Sequence, residues 1–70
     1  MLVNFKAEMW RKNISQAQIC RETGISEKSM VSKIYERTDF TRSEMYEIHD
    51  KFFPETDMKY LYASDKEKRE

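Results

Sequence analysis

One cysteine, one glycine, one proline, one tryptophan and one histidine are spread over 70 residues. A lone Cys20 cannot close a disulfide within the chain, which excludes a small disulfide-stapled scaffold. Its place on an apolar helix face reads as a buried filler. A single glycine leaves no glycine-rich phosphate loop. No apolar run approaches the ~20 residues of a membrane span, and no secretion signal is visible. An excess of charge is missing too, because 13 Lys/Arg balance 13 Asp/Glu. What is present is a short chain, 39% hydrophobic and 37% charged. A domain of this size needs nearly all its apolar residues in one core.

The neutral total hides an asymmetry. Residues 1–37 hold seven Lys/Arg against four Asp/Glu, a net +3, whereas residues 38–70 hold six against nine, a net −3. One end can face phosphate while the other turns away.

Apolar spacing is helical throughout. Leu2, Phe5 and Met9 recur at steps of three and four, which predicts a helix over 2–12 with Trp10 covering the edge of the stripe. Asn13 breaks it. Ser15 caps a second helix over 16–23, with Gln18 reaching back and Ile19 and Cys20 inward. Gly24 then sits where a helix end calls for a left-handed backbone, in a tight turn. Ser26 caps a third helix over 27–36. Met30 and Ile34 point inward there, which sends Lys28, Ser32, Tyr35 and Glu36 outward. Thr41 and Glu44 make a capping box, Phe40 and Met45 its hydrophobic staple, and Met45, Ile48 and Phe52 the inward stripe of a fourth helix that Pro54 ends. Asp57 caps a last short turn carrying Met58, Leu61 and Tyr62. From Ser64 the chain reads SDKEKRE, without an apolar anchor. The expectation is an all-α, compact four- to five-helix domain over residues 1–63 that contains a helix-turn-helix, followed by a flexible charged tail over 64–70.

Ser15-Gln16, Ile19-Cys20, Gly24-Ile25-Ser26 and Ser29-Met30 together resemble the helix-turn-helix of the Xre family of phage repressors and Cro proteins. The resemblance runs over residues 5–62. It departs at Lys33, where the family places an apolar residue that this chain supplies one place later as Ile34. The resemblance implies sequence-specific binding of double-stranded DNA by a small phage or prophage repressor or Cro-like regulator in the bacterial cytoplasm. It also implies a palindromic operator and a weak homodimer. Carried over residue by residue, Glu27, Lys28 and Ser32 become candidates for reading base edges. Gln16 becomes a candidate for the phosphate backbone, and Lys33, Tyr35 and Arg37, by their own chemistry and their place at the end of the third helix, are further candidates for phosphates flanking the groove.

Elementary chemistry agrees with several of these roles. A helix N-terminus offers free N–H groups to phosphate beside Gln16. Lysine can donate to guanine O6 and N7, and serine can donate or accept. Glu27 can accept from cytosine N4, or simply favour the positive end of its helix. An alternative reading keeps the fold and changes the partner: the acidic second half, with Glu44, Glu47, Asp50 and Glu55, suits a basic regulatory protein of host or phage. Catalysis is not expected. His49 and Cys20 have no partners at metal-ligand spacing, and no Ser-His-Asp arrangement can be placed. No cofactor is implied.

Apolar residues are left over at the C-terminal end. After a core is assembled from helices 1 to 4, Phe53, Met58, Tyr60, Leu61 and Tyr62 remain, with Leu61 the expected plug of the core. Five such residues exceed what one small domain can bury, so this cluster is the expected dimer interface.

Overall fold

The computed structural model describes residues 1–64. Five helices make the domain: α1 (Val3–Lys12), α2 (Gln16–Thr23), α3 (Glu27–Ile34), α4 (Arg42–Phe52) and α5 (Met58–Leu61), with no strand among the described residues. The fold class is all-α, as the periodicities predict. None of the described helices is long and apolar enough to cross a membrane. Of the expected 64–70 tail only Ser64 is described, and its hydroxyl donates to Glu36 Oε2 at 3.2 Å. The rest of that tail lies outside the described residues.

Four helices start where a side chain accepts the backbone N–H groups that a first turn leaves without partners. Ser15 Oγ accepts from Gln18 N at 3.1 Å, Ser26 Oγ from Ser29 N at 3.1 Å, and Asp57 Oδ2 from Tyr60 N at 3.0 Å. Thr41 Oγ1 accepts from Glu44 N at 3.2 Å while Glu44 Oε1 accepts from Thr41 N at 2.9 Å, a complete capping box. The same Glu44 carboxylate pairs with Lys33 at 3.3 Å and so ties the start of α4 to α3. Burial pushes the Glu44 carboxyl up, but the Thr41 N–H and the Lys33 ammonium together outweigh it and hold the group below its ordinary 4.5. A carboxyl depressed in the folded state stabilises the fold above its ordinary value, and that stability is lost as pH falls through the lowered value. The thermal midpoint is therefore expected to drop as pH is taken below 4.5, and Glu44→Gln should flatten that drop. Melting curves of both proteins across acid pH check this.

The helix ends rely on left-handed residues: Asn13 at φ 57°, Gly24 at φ 81° and Glu36 at φ 66°. Gly24 N donates to Cys20 O at 2.8 Å and closes α2. No atom lies within 4 Å of where a Cβ on Gly24 would stand, so the turn is tight in backbone but not crowded. Gly24→Val is still expected to cost more than ~1 kcal/mol from the left-handed conformation alone, with Gly24→Ala less affected. Chemical denaturation of both variants checks the order, and an unchanged midpoint for valine would contradict it.

Helix α3 ends two residues before the predicted 36. Glu36 N donates to Lys33 O at 3.2 Å and Arg37 N to Ser32 O at 2.8 Å, the paired bonds of a Schellman stop. The residue in the left-handed position is a glutamate, so no glycine marks the end. The Glu36 carboxylate accepts from the Met1 amino nitrogen at 2.9 Å.

The core is centred on α1. Phe5 is fully buried, with ring centroids of Phe40, Phe53 and Tyr62 each 5.7 Å from its own. Around this cluster lie Leu2, Met9, Ile19, Cys20, Ile25, Met30, Ile34, Ile48 and Leu61. Polar bonds fasten the ends: Leu2 N donates to Ile34 O at 2.8 Å, Asn4 Nδ2 to Tyr60 O at 2.8 Å, and Lys12 Nζ to Phe52 O at 3.3 Å. Lys12 also pairs with Glu55.

Three expectations about packing are corrected. Phe53, assigned to a dimer interface, is 0% exposed and belongs to the core, and Leu61, also counted in that cluster, is 0% exposed and is the core plug that the sequence predicts. The reason for Phe53 is Pro54: it stops the helix, Phe53 leaves helical geometry at φ −133°, and its ring, rather than that of Phe52, turns under Phe5. Phe52 is left at the edge. Trp10 does not cover the α1 stripe; it is 87% exposed, because one helical step beyond Met9 turns it away from the core.

Candidate nucleic-acid interface

The α2–turn–α3 unit presents its outer side through the first turn of α3. Glu27, Lys28 and Ser29 are exposed there, while Met30 and Ile34 are buried beneath. Lys28 and Ser32 are four residues apart and therefore share one face of α3. Lys28 has no carboxylate within ion-pair distance among the described residues, so its three donors are free. Ser32 is half-buried, and its carbonyl is taken by Arg37 N. Glu27 is exposed at the head of the helix, where its charge suits the N-terminal dipole. It also acts on the thiol behind it: burial, and then the Glu27 carboxylate, push Cys20 up from its ordinary 9.0. Cys20 is a free, buried thiol.

Gln16 is half-buried as the first residue of α2, directly after the Ser15 cap. The other backbone candidates separate from this group. Tyr35 and Arg37 are exposed at the far end of α3, about 10 Å along the axis from Lys28. Lys6 Nζ lies 5.9 Å from the centre of the Tyr35 ring. Arg37 carries no ion pair among the described residues. Lys33 is the exception, because it is committed within the fold. Its ammonium pairs with Glu44, donates to Asp39 O at 3.1 Å, and lies 5.9 Å from the Phe40 ring centre, which leaves the side chain 14% exposed. Lys33 is thus a strut between α3 and α4.

Arg42 and Arg21 are cations that the sequence did not mark as DNA contacts. Arg42 is exposed as the first residue of α4, directly after its cap, and Arg21 is exposed on α2. Neither has a carboxylate partner among the described residues. The Thr41–Glu44 capping box was the available signal for Arg42, because it places that side chain beside a row of free N–H groups.

The remaining candidates fall on α5 and its flank. Tyr62 is half-buried, and its hydroxyl donates to Met45 O at 3.0 Å. Burial, reinforced by the Glu44 charge, pushes that phenol well up from its ordinary 10.0. Met58 is half-buried and Tyr60 is 42% exposed, so the C-terminal apolar surface is much smaller than five residues. A cleft of about 400 Å³ opens between the α3–α4 link and Tyr62, lined by Leu2, Phe40, Met45 and the already paired Lys33. No group of three or more His, Cys, Asp or Glu among the described residues could hold a metal ion.

No protein-family model, no curated protein and no solved structure matches this chain. What can be said of function rests on the residues and their placement.

Proposed function

We propose that this chain binds double-stranded DNA in a sequence-specific manner, with α3 in the major groove and α2 across the backbone, as a small transcriptional repressor or Cro-like regulator of a phage or prophage. The observation that carries this reading is the free Lys28 in the exposed first turn of α3, with Ser32 one turn further on the same face. Two donors at that spacing suit adjacent base edges. Gln16 and the N–H groups at the start of α2 suit a phosphate, and Arg37 with Arg42 extends the same electrostatic role. Four carboxylates are held in internal pairs, Glu8 with Arg11, Glu44 with Lys33, Glu47 with Lys51 and Glu55 with Lys12, and each pair also commits one Lys or Arg, which leaves Lys28, Arg37 and Arg42 among the cations still able to meet phosphate. Occupancy of a promoter would repress it without any chemistry. A single α3 reads only a few base pairs, so a palindromic operator and two copies of the chain are part of the proposal.

Few free cations per copy imply weak non-specific binding with a shallow salt dependence. A logarithmic slope of roughly −3 per copy is expected. Fluorescence anisotropy on labelled duplexes over a salt series measures it. No saturable, salt-sensitive binding to any duplex would overturn the reading.

A second reading has an observation of its own. Tyr46 is 52% exposed on α4 with Arg42 one turn before it and Asp50 one turn after it on the same face, an exposed aromatic with a polar rim of both signs that suits a protein partner. Pull-down with and without nuclease separates the two. A protein partner that survives nuclease, together with indifference to duplex DNA, would favour this one.

A further inference from the structure

We propose that the outer face of α1, formed by Val3, Ala7 and Trp10, is a self-association surface on which a second copy of this chain packs antiparallel about a two-fold axis at Ala7. The starting observation is Trp10. It is the only tryptophan in the chain, and in the single domain it is 87% exposed. A side chain of this kind carries ~150–250 Å² of surface and ranks among the residues most enriched where proteins meet. It does not stand alone. Val3, Ala7 and Trp10 are spaced i, i+4, i+7, which aligns them along about 10 Å of one helix face. That face is the reverse of the one from which Leu2, Phe5 and Met9 enter the core.

The order of sizes points to a copy of the same helix as the occupant. The stripe runs medium, small, large. When two such helices meet antiparallel at Ala7, the small residues face each other and the backbones approach. Each Trp10 then lies over the Val3 end of its partner. An isologous contact of this kind needs a self-complementary patch, and this stripe is one. The C-terminal cluster cannot take its place, because Phe53 and Leu61 are 0% exposed. Its one well-exposed member, Tyr60, stands on another flank of α1, where its carbonyl accepts from Asn4 Nδ2 at 2.8 Å and its hydroxyl donates to Glu8 Oε2 at 3.4 Å, both on buried residues.

Area sets the strength. Trp10, Val3, Ala7 and the stems of Lys6 and Arg11 offer about 400 Å² per copy, or ~800 Å² in total, in the range of weak, transient contacts. The dimer is accordingly weak. Charge weakens it further. Lys6 is next to Ala7 and has no carboxylate partner among the described residues, and the two-fold axis brings both Lys6 ammonium groups to one side. Salt screens that repulsion and strengthens the dimer, opposite in sign to its effect on DNA binding. The use of the dimer rests on the DNA reading; its existence does not.

Trp10 supplies its own readout. For the full chain, raising the concentration from ~1 μM to ~1 mM is expected to move the tryptophan emission to shorter wavelength, in step with dimer measured by analytical ultracentrifugation. Trp10→Ala should weaken the dimer at least ~30-fold while leaving the melting temperature unchanged, since the indole lies outside the core. Ala7→Cys should cross-link to a covalent dimer under mild oxidation, whereas Tyr46→Cys, on α4, should not. A monomer with constant emission throughout that range overturns the proposal. So does a dimer undiminished in Trp10→Ala. A chain that dimerises here but ignores duplex DNA upholds this surface and overturns the DNA reading; a monomer that binds duplex DNA does the reverse.

Discussion

Replacing Phe5 with alanine is expected to cost about 3–5 kcal/mol, the usual range for deleting a buried phenyl ring. The cost arises at one point of the fold. Phe5 is 0% exposed, and three aromatic rings surround it at 5.7 Å: Phe40 stacked, Phe53 edge-on and Tyr62 tilted. Those rings come from the α3–α4 link, the end of α4 and the residue after α5, so no single segment can move in to fill the space. Domains have ~0.05–0.15 kcal/mol of stability per residue, which for 70 residues is roughly 3.5–10 kcal/mol. The loss is therefore comparable to the whole, and a large unfolded fraction in buffer is expected from circular dichroism and urea titration. Phe5→Leu keeps most of the volume and should lose much less. A folded Phe5→Ala protein with a midpoint near the parent's would mean that this cluster does not hold the domain together.

Lys28→Ala is expected to cost ~1–3 kcal/mol in binding to a preferred duplex and much less on a scrambled one. The side chain is exposed, carries no ion pair within the described fold and shares a face of α3 with Ser32, so its removal takes away a base-edge donor without disturbing the core. Arg37→Ala is expected to weaken both duplexes by similar factors and to flatten the salt dependence, as a phosphate contact does. Lys33→Ala should behave differently from both. It removes the strut to Glu44 and Asp39 and should lower thermal stability before it touches affinity. Affinities for both duplexes over a salt series, beside melting curves, separate the three. Equal losses on both duplexes for Lys28→Ala would demote that residue to a backbone contact.

Local signals carried most of the fold. Helix α2 spans the predicted 16–23, and each expected cap at Ser15, Ser26, Thr41 and Asp57 accepts its backbone N–H. These are interactions over three residues, and residue type and spacing are enough to specify them. Errors occur where a long-range contact decides. Glu36 takes a left-handed conformation that a glutamate rarely adopts, and its carboxylate is held by Met1 and Ser64, far away in sequence. Whether Phe52 or Phe53 enters the core depends on how Pro54 turns the chain beneath Phe5, which periodicity alone cannot tell. Helical phase places Lys28 on the outside correctly. It could not show that Lys33, five residues later, is claimed by Glu44. The exposure of Trp10 was the least legible feature, since a tryptophan next to an apolar stripe ordinarily covers it.

The most direct measurement of the proposed function is selection of bound sites from random duplex DNA by the full chain. Enrichment of a short palindromic consensus is expected, with discrimination relaxed at one position of each half-site when the selection is repeated with Lys28→Ala. Recovery of a pool indistinguishable from the input, at salt low enough for weak complexes to survive, would contradict it.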